Sequence, residues 1–134
     1  MRVMVFVKAT EDSEKGIMPS TELLEAMGRY NQELIAAGIM KTGDGLKPTS
    51  KAVRIAFDGD KRTVINGPFS QTNEIVAGYW IWHVKDMDEA IEWAKKCPNP
   101  MPGPSELEIR PHYEMEDFAE LMSGEAEKLH KRNA

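Results

Sequence analysis

The order of strand-like and helix-like segments constrains the fold of this chain most strongly. β-Branched and aromatic apolar runs predict strands at 3–7 (VMVFV) and 75–84 (IVAGYWIWHV). Alternation of polar and apolar side chains predicts a third strand at 106–112 (ELEIRPH). Apolar side chains at close to helical spacing predict helices at 20–37 and 86–97.

Between the first helix and the long strand, the sequence indicates a β-hairpin. The runs AVRIAF (52–57) and RTVIN (62–66) flank Asp58-Gly59, a pair that favours a tight turn between paired strands. Residues 38–50 read as a further strand that glycines interrupt. The chain therefore supplies four main strands and one separate hairpin.

Without the hairpin, the element order is βαββαβ, so we predict an α+β fold of the ferredoxin-like type. Residues 10–20 are polar and contain glycine and proline, which predicts a loop. Residues 115–131 predict a final helix. We place one domain at 1–114 and a C-terminal helical extension at 115–134.

Composition narrows the function classes. The 134 residues suffice for one domain, and a formal net charge of −5 argues against non-specific nucleic-acid binding, which needs a basic face. No apolar stretch approaches the length of a membrane span, and the start is charged too early for a secretory signal. With the single cysteine Cys97, these features predict a cytoplasmic protein that binds neither nucleic acid nor membrane.

Strand alternation predicts an apolar face on the side of the sheet that the two helices leave uncovered. If Val3 and the other odd-numbered valines of the first strand face the helices, Met4 and Phe6 lie on the opposite, open face. Tyr79 and Ile81 join them there. This face is too apolar to remain exposed to solvent, so we predict that two copies pack their sheets together in a homodimer.

Charged side chains on the same face suggest a pocket. We predict that Arg110, with Tyr79, Phe6 and Met4, holds a small organic acid, because arginine pairs with carboxylates.

For catalysis, His83 is the candidate base, with Asp44 or Glu108 to orient it. The alternative is that Glu108 and Arg110 form cross-strand ion pairs and His83 fills an interface, since alternating charge on a strand usually only solvates it. No Gly-rich phosphate loop precedes a helix, and the histidines lack metal-ligand spacing. We therefore expect no cofactor and no metal.

The segment NGPFSQTNEIVAGYWIWHVKDMDEAIEWAKKCP (66–98) resembles the signature of the YCII-related family, in its DGPF subgroup. The similarity extends to 33–48 and 106–111. This resemblance implies a dimeric α/β barrel of ferredoxin-like subunits. Some members of the subgroup are encoded beside sigma factors. Some relatives are dehydrochlorinase-like or isomerase-like enzymes with a His–Asp pair and no cofactor.

Two departures from that pattern limit what the resemblance implies. Asn66 replaces the first aspartate of the motif, so it cannot act as a base, although Asn66, Gly67, Pro68 and Phe69 still suit a turn. The first helix contains no histidine to pair with Asp44, which matches the acidic residue of the Gly-rich strand.

Three functional hypotheses follow. The first is a small-molecule-binding homodimer with an accessory or regulatory role. The second is a cofactor-independent lyase or isomerase that acts on a small aromatic or lactone acid. The third is an interaction partner of a regulator such as a sigma factor, through acidic residues of the C-terminal helix.

Overall fold

The computed structural model describes residues 1–70 and 74–122, which contain six strands and four α-helices. The strands are β1 (Arg2–Lys8), β2 (Met40–Gly45), β3 (Val53–Asp58), β4 (Lys61–Asn66), β5 (Val76–His83) and β6 (Leu107–Pro111). The helices are α1 (Glu11–Glu14), α2 (Thr21–Ala36), α3 (Met87–Lys95) and α4 (Met115–Met122), with a 3₁₀ turn at Thr49–Lys51.

Four strands form one antiparallel sheet in the order β2-β5-β1-β6. When the hairpin is left out, the first and third strands of the chain (β1 and β5) are central, and the second and fourth (β2 and β6) are at the edges. This is the strand order of a ferredoxin-like βαββαβ unit. Strands β3 and β4 pair only with each other, as a hairpin inserted between β2 and β5. The predicted fold and the predicted hairpin are both confirmed.

The core lies between this sheet and helices α2 and α3. Val3 and Val5 of β1 are fully buried, as is Trp82 of β5. Leu34 of α2 and Ala90 of α3 close the other side. Burial of each large apolar side chain contributes roughly 1.5–3 kcal/mol. The predicted assignment of strand faces is therefore confirmed for β1 and β5.

Side chains cap the two core helices as the sequence suggests. Ser20 Oγ accepts from the backbone N–H of Leu23 at 3.1 Å, and Asp86 Oδ1 accepts from that of Glu89 at 2.9 Å. The Glu89 carboxylate reaches back to the backbone N–H of Lys85, one residue before the cap. Each helix therefore begins where a short polar side chain satisfies a free amide of its first turn.

The loop predicted at 10–20 is wrong in part, because it contains the one-turn helix α1. Thr10 Oγ1 accepts from the backbone N–H of Ser13 at 3.3 Å, and Ser13 Oγ accepts from that of Thr10 at 2.9 Å. This reciprocal capping box stabilises a turn that has no apolar periodicity to reveal it.

The predicted C-terminal helix is present as α4. The rest of that prediction, residues 123–131, lies outside the described residues. Among the described residues, no helix has the length and apolar character needed to cross a membrane.

The open face of the sheet carries the apolar side chains that the sequence placed there. Phe6 lies directly across from Tyr79, and Met4 across from Ile81. All four are only partly covered within one chain. A second sheet packed on this face would cover them, so the homodimer stays a prediction with a defined contact surface.

A charged residue introduced at the centre of this surface tests the predicted homodimer. We expect Phe6→Lys to convert a dimer to a folded monomer, because the new ammonium group loses its water at the contact. Light scattering measures the mass, and circular dichroism checks the fold. Glu25→Lys introduces the same ammonium group at an exposed position of α2 and should leave the dimer intact. A wild-type protein that is monomeric at tens of micromolar would show that the prediction is wrong.

Candidate functional site

The predicted acidic residues lie on opposite edges of the open sheet face. Asp44, Tyr79, Phe6 and Glu108 occupy one row across β2, β5, β1 and β6. Three strand spacings separate the two carboxylates, about 14 Å. Glu108 instead contacts Lys8, with Nζ 3.7 Å from Oε1. One chain therefore does not bring Asp44 and Glu108 together.

His83 lies at the far end of β5, four residues from Tyr79, which corresponds to about 13 Å along the strand. It is exposed and pairs across the sheet with Arg2. Its imidazole makes no hydrogen bond to any residue in the described part of the chain. Desolvation, and then the positive charges of Lys41, the N-terminus and Arg2, lower the pKa of His83. The positive charges outweigh the opposing effect of Glu114, and neither predicted carboxylate lies beside His83.

The predicted acid-binding residues are spread over the middle of the same face. Arg110 is exposed and lies across from Met4, while Phe6 and Tyr79 belong to the neighbouring row. They form a surface within one chain, and only a second sheet would turn it into a pocket.

A cavity of about 680 Å³ lies elsewhere, beside the N-terminus of α2. Its walls are the α1–α2 connection, the segment after β2 and the proline-rich loop after α3. Most of its lining is apolar, including Ile17, Met18, Leu23, Leu46, Pro100 and Met101. This volume and lining are typical of a site for a small organic molecule.

A second cavity, of about 400 Å³, adjoins the first beneath α2. Gly43 and Gly78, on the helix-facing side of β2 and β5, line this cavity. Gly43 also makes room for a neighbour, because a Cβ there would lie 2.4 Å from Cδ1 of Trp80. The two cavities share Gly45, Ala77, Pro100 and Met101. Sequence reasoning missed both, although the alternate glycines of TGDG were the available signal.

Two predicted residues, Asp44 and Tyr79, line the smaller cavity. The hydroxyl of Tyr79 lies 3.5 Å from Oδ2 of Asp44. Nearby, the Trp80 indole N–H donates to Oδ1 of Asn31 at 2.9 Å, which ties β5 to α2. Alternation puts the Asp44 and Tyr79 side chains on the open face, opposite the glycines that line this cavity.

The NGPF motif braces the wall of the larger cavity. Thr49 donates to the Glu14 carboxylate from both its backbone N–H and its hydroxyl, and the hydroxyl accepts from the backbone N–H of Phe69 at 3.0 Å. Gly67 packs directly on this turn, because a Cβ there would lie 1.7 Å from the Thr49 carbonyl oxygen. Glu14 belongs to α1, whose residues Asp12 and Ser13 line the cavity.

The other motif residues complete this brace. Pro68 follows a cis peptide bond, and the Arg54 guanidinium stacks 3.7 Å from the centre of the Phe69 ring. Asn66 ends β4 opposite Val53, on the exposed hairpin. The motif therefore acts through its backbone and through the Phe69 ring.

The fold and these cavities place the protein in the class of α+β proteins that have one open sheet face and an apolar pocket on the helix side. Within that class, residues 1–115 match the model of the YCII-related domain, and the chain belongs to this family.

Two known proteins are similar to it. An uncharacterized protein of Rhizobium meliloti (strain 1021) is 25% identical over 89 residues, which cover 66% of this chain and 72% of that protein. The solved structure of 5-chloro-2-hydroxyhydroquinone dehydrochlorinase from Burkholderia phenoliruptrix AC1100, in complex with 2,5-dihydroxybenzoquinone, aligns with a TM-score of 0.46 at 12% identity. That alignment covers 87% of this chain and 99% of the other.

The brace predicts a stability effect at Thr49. We expect Thr49→Val, which keeps the shape but removes the hydroxyl, to lower the free energy of unfolding by about 1–3 kcal/mol, because the Glu14 carboxylate and the Phe69 amide each lose a partner. Urea unfolding followed by tryptophan fluorescence measures it. Thr63→Val makes the same change on the exposed hairpin and should have almost no effect. Equal effects of the two variants would contradict the brace.

Proposed function

We propose that this protein binds a small organic acid with an aromatic or aliphatic body in the larger cavity. The observation that carries the proposal is the cavity itself, about 680 Å³ and mostly apolar, with few polar groups on its walls. Ligand sites typically combine such a volume with a small number of orienting polar groups.

The polar groups suggest where an acid group would bind. Lys47 and Ser20 both line the cavity, and Ser20 caps the N-terminus of α2. The ammonium group and the positive end of the helix dipole favour an anion there. Asp12 lines another part of the cavity and disfavours a second negative charge. A monocarboxylate therefore fits this site better than a dicarboxylate.

Filling the cavity tests this proposal. We expect benzoate or hexanoate to raise the melting temperature of the wild type, and Leu23→Trp to abolish that shift by occupying the space. Leu24→Trp is the matched control, because Leu24 is exposed and does not line the cavity. Thermal-shift assays measure both.

Charge removal separates an acid site from a merely apolar one. Lys47→Gln should reduce the shift with benzoate but not with neutral benzamide, and Lys51→Gln, on the 3₁₀ turn outside the lining, should change neither. Failure of every carboxylate to stabilise the wild type would overturn the proposal.

A second candidate function is a cofactor-independent lyase or isomerase. The observation that favours it is the contact between Asp44 and Tyr79, which puts a carboxylate beside a phenol on the open sheet face. Asp44 would accept the proton there, and the Tyr79 hydroxyl, 3.5 Å away, would donate to that carboxylate. His83 would contribute only if a second copy brought a carboxylate to it.

Asp44→Asn distinguishes catalysis from binding. If Asp44 is the base, this variant should retain the thermal shift with carboxylates while it loses at least about a hundredfold in turnover, the contribution typical of a general base. Turnover would be followed by the ultraviolet absorbance of a panel of aromatic and lactone acids. Activity equal to that of the wild type would exclude Asp44 as the base.

A further inference from the structure

The β3–β4 hairpin exposes one apolar face. Alternation puts four large apolar residues on one side of the two strands, the outward face, and all are exposed: Val53 (56%), Ile55 (46%), Phe57 (71%) and Val64 (61%). Ile65 (43%) lies on the opposite side. On the opposite side, Arg54 stacks on Phe69, although the residues of both strands are exposed along their whole length. A two-stranded ribbon is marginally stable alone, so this outward face needs a partner.

Helix α4 exposes a second apolar surface. Met115 and Phe118, one turn apart, are 81% and 48% exposed, and Tyr113 stacks on Phe118 with ring centres 5.3 Å apart. Glu116 and Asp117 give its first turn a negative charge. An amphipathic helix of this kind is stabilised mainly when its apolar side packs on another element.

These two surfaces lie at opposite corners of the sheet. The hairpin follows the C-terminal end of β2, whereas α4 follows the C-terminal end of β6, on the other edge strand and at the other end of the sheet. A bidentate ion pair holds α4 there, with Arg2 Nε 2.8 Å from Glu114 Oε1 and Nη2 3.1 Å from Oε2. The two surfaces therefore cannot cover each other within one chain.

We propose that α4 of one copy packs on the outward face of the β3–β4 hairpin of a second copy, reciprocally. The charges are complementary: Arg62 is the charged strand residue on the outward face of the hairpin, while residues 115–122 contain three acidic side chains and no basic ones. On the outward face, Arg62 lies over the Phe57 ring at 4.6 Å and is placed to meet Glu116.

Sheet packing supplies the geometry for this exchange. When two sheets stack face to face with strands near right angles, a common packing mode, a two-fold axis along one diagonal places each α4 corner over the hairpin corner of the other copy. Both contacts then form at once, and they extend the apolar contact of the open faces. Although the family resemblance suggested a regulator as the partner of the acidic helix, this partner is the same protein.

Cross-linking between differently labelled copies tests the contact. In a Cys97→Ala background, Phe57→Cys and Met115→Cys proteins are mixed, allowed to exchange subunits, and treated with a short bismaleimide. We expect a covalent dimer in the mixture at several times the yield of either protein alone. Thr63→Cys, on the other face of the hairpin, mixed with Met115→Cys is the control and should give little. No excess in the first mixture, or an equal yield with Thr63→Cys, would overturn the proposal.

Charge reversal provides an independent readout. Arg62→Glu and Glu116→Arg should each raise the dimer dissociation constant severalfold, and the double variant should recover most of the loss, as for two groups in contact. Analytical ultracentrifugation measures the constants. A double variant no better than the product of the two single effects would contradict a contact between these side chains.

Discussion

The indole of Trp80 is the contact on which the interior of this protein depends. Its ring lies edge-on to Tyr30 of α2, with centres 5.9 Å apart, and its N–H donates to Asn31 on the same helix. On its other side it occupies the place that a side chain at position 43 would need. The same contact therefore sets the distance between α2 and the sheet and leaves the glycine-lined space beneath the helix.

The contacts of Thr49 show what the NGPF motif does in the structure. Its Gly67 and Phe69 hold Thr49, and through Thr49 they hold α1 against the larger cavity. With Asn66 in place of the aspartate, the motif keeps its backbone role. The motif that identifies the family thus acts indirectly, because it shapes the wall of the larger cavity.

Local patterns predicted most of the fold. Alternation in β1 and β5, the Asp58-Gly59 turn and the caps at Ser20 and Asp86 each depend on neighbours within a few residues, so the sequence shows them directly. The candidate site was harder. His83, Asp44 and Glu108 share the predicted face, yet register places them in different rows or on different edges. Alternation along a strand shows on which face of the sheet a side chain lies, but only the pairing of strands shows how far apart two side chains on that face are.

By itself, the sequence determined the family, the order of the elements and the side of the sheet on which each strand residue lies. These follow from periodicity and from a motif that reads along the chain. Only the tertiary structure decided where the empty space lies, because the walls of each cavity come from segments that are far apart in the chain. It likewise decided that the Arg2–Glu114 pair, between residues at opposite ends of the domain, holds α4 at a corner that the hairpin of its own chain cannot reach.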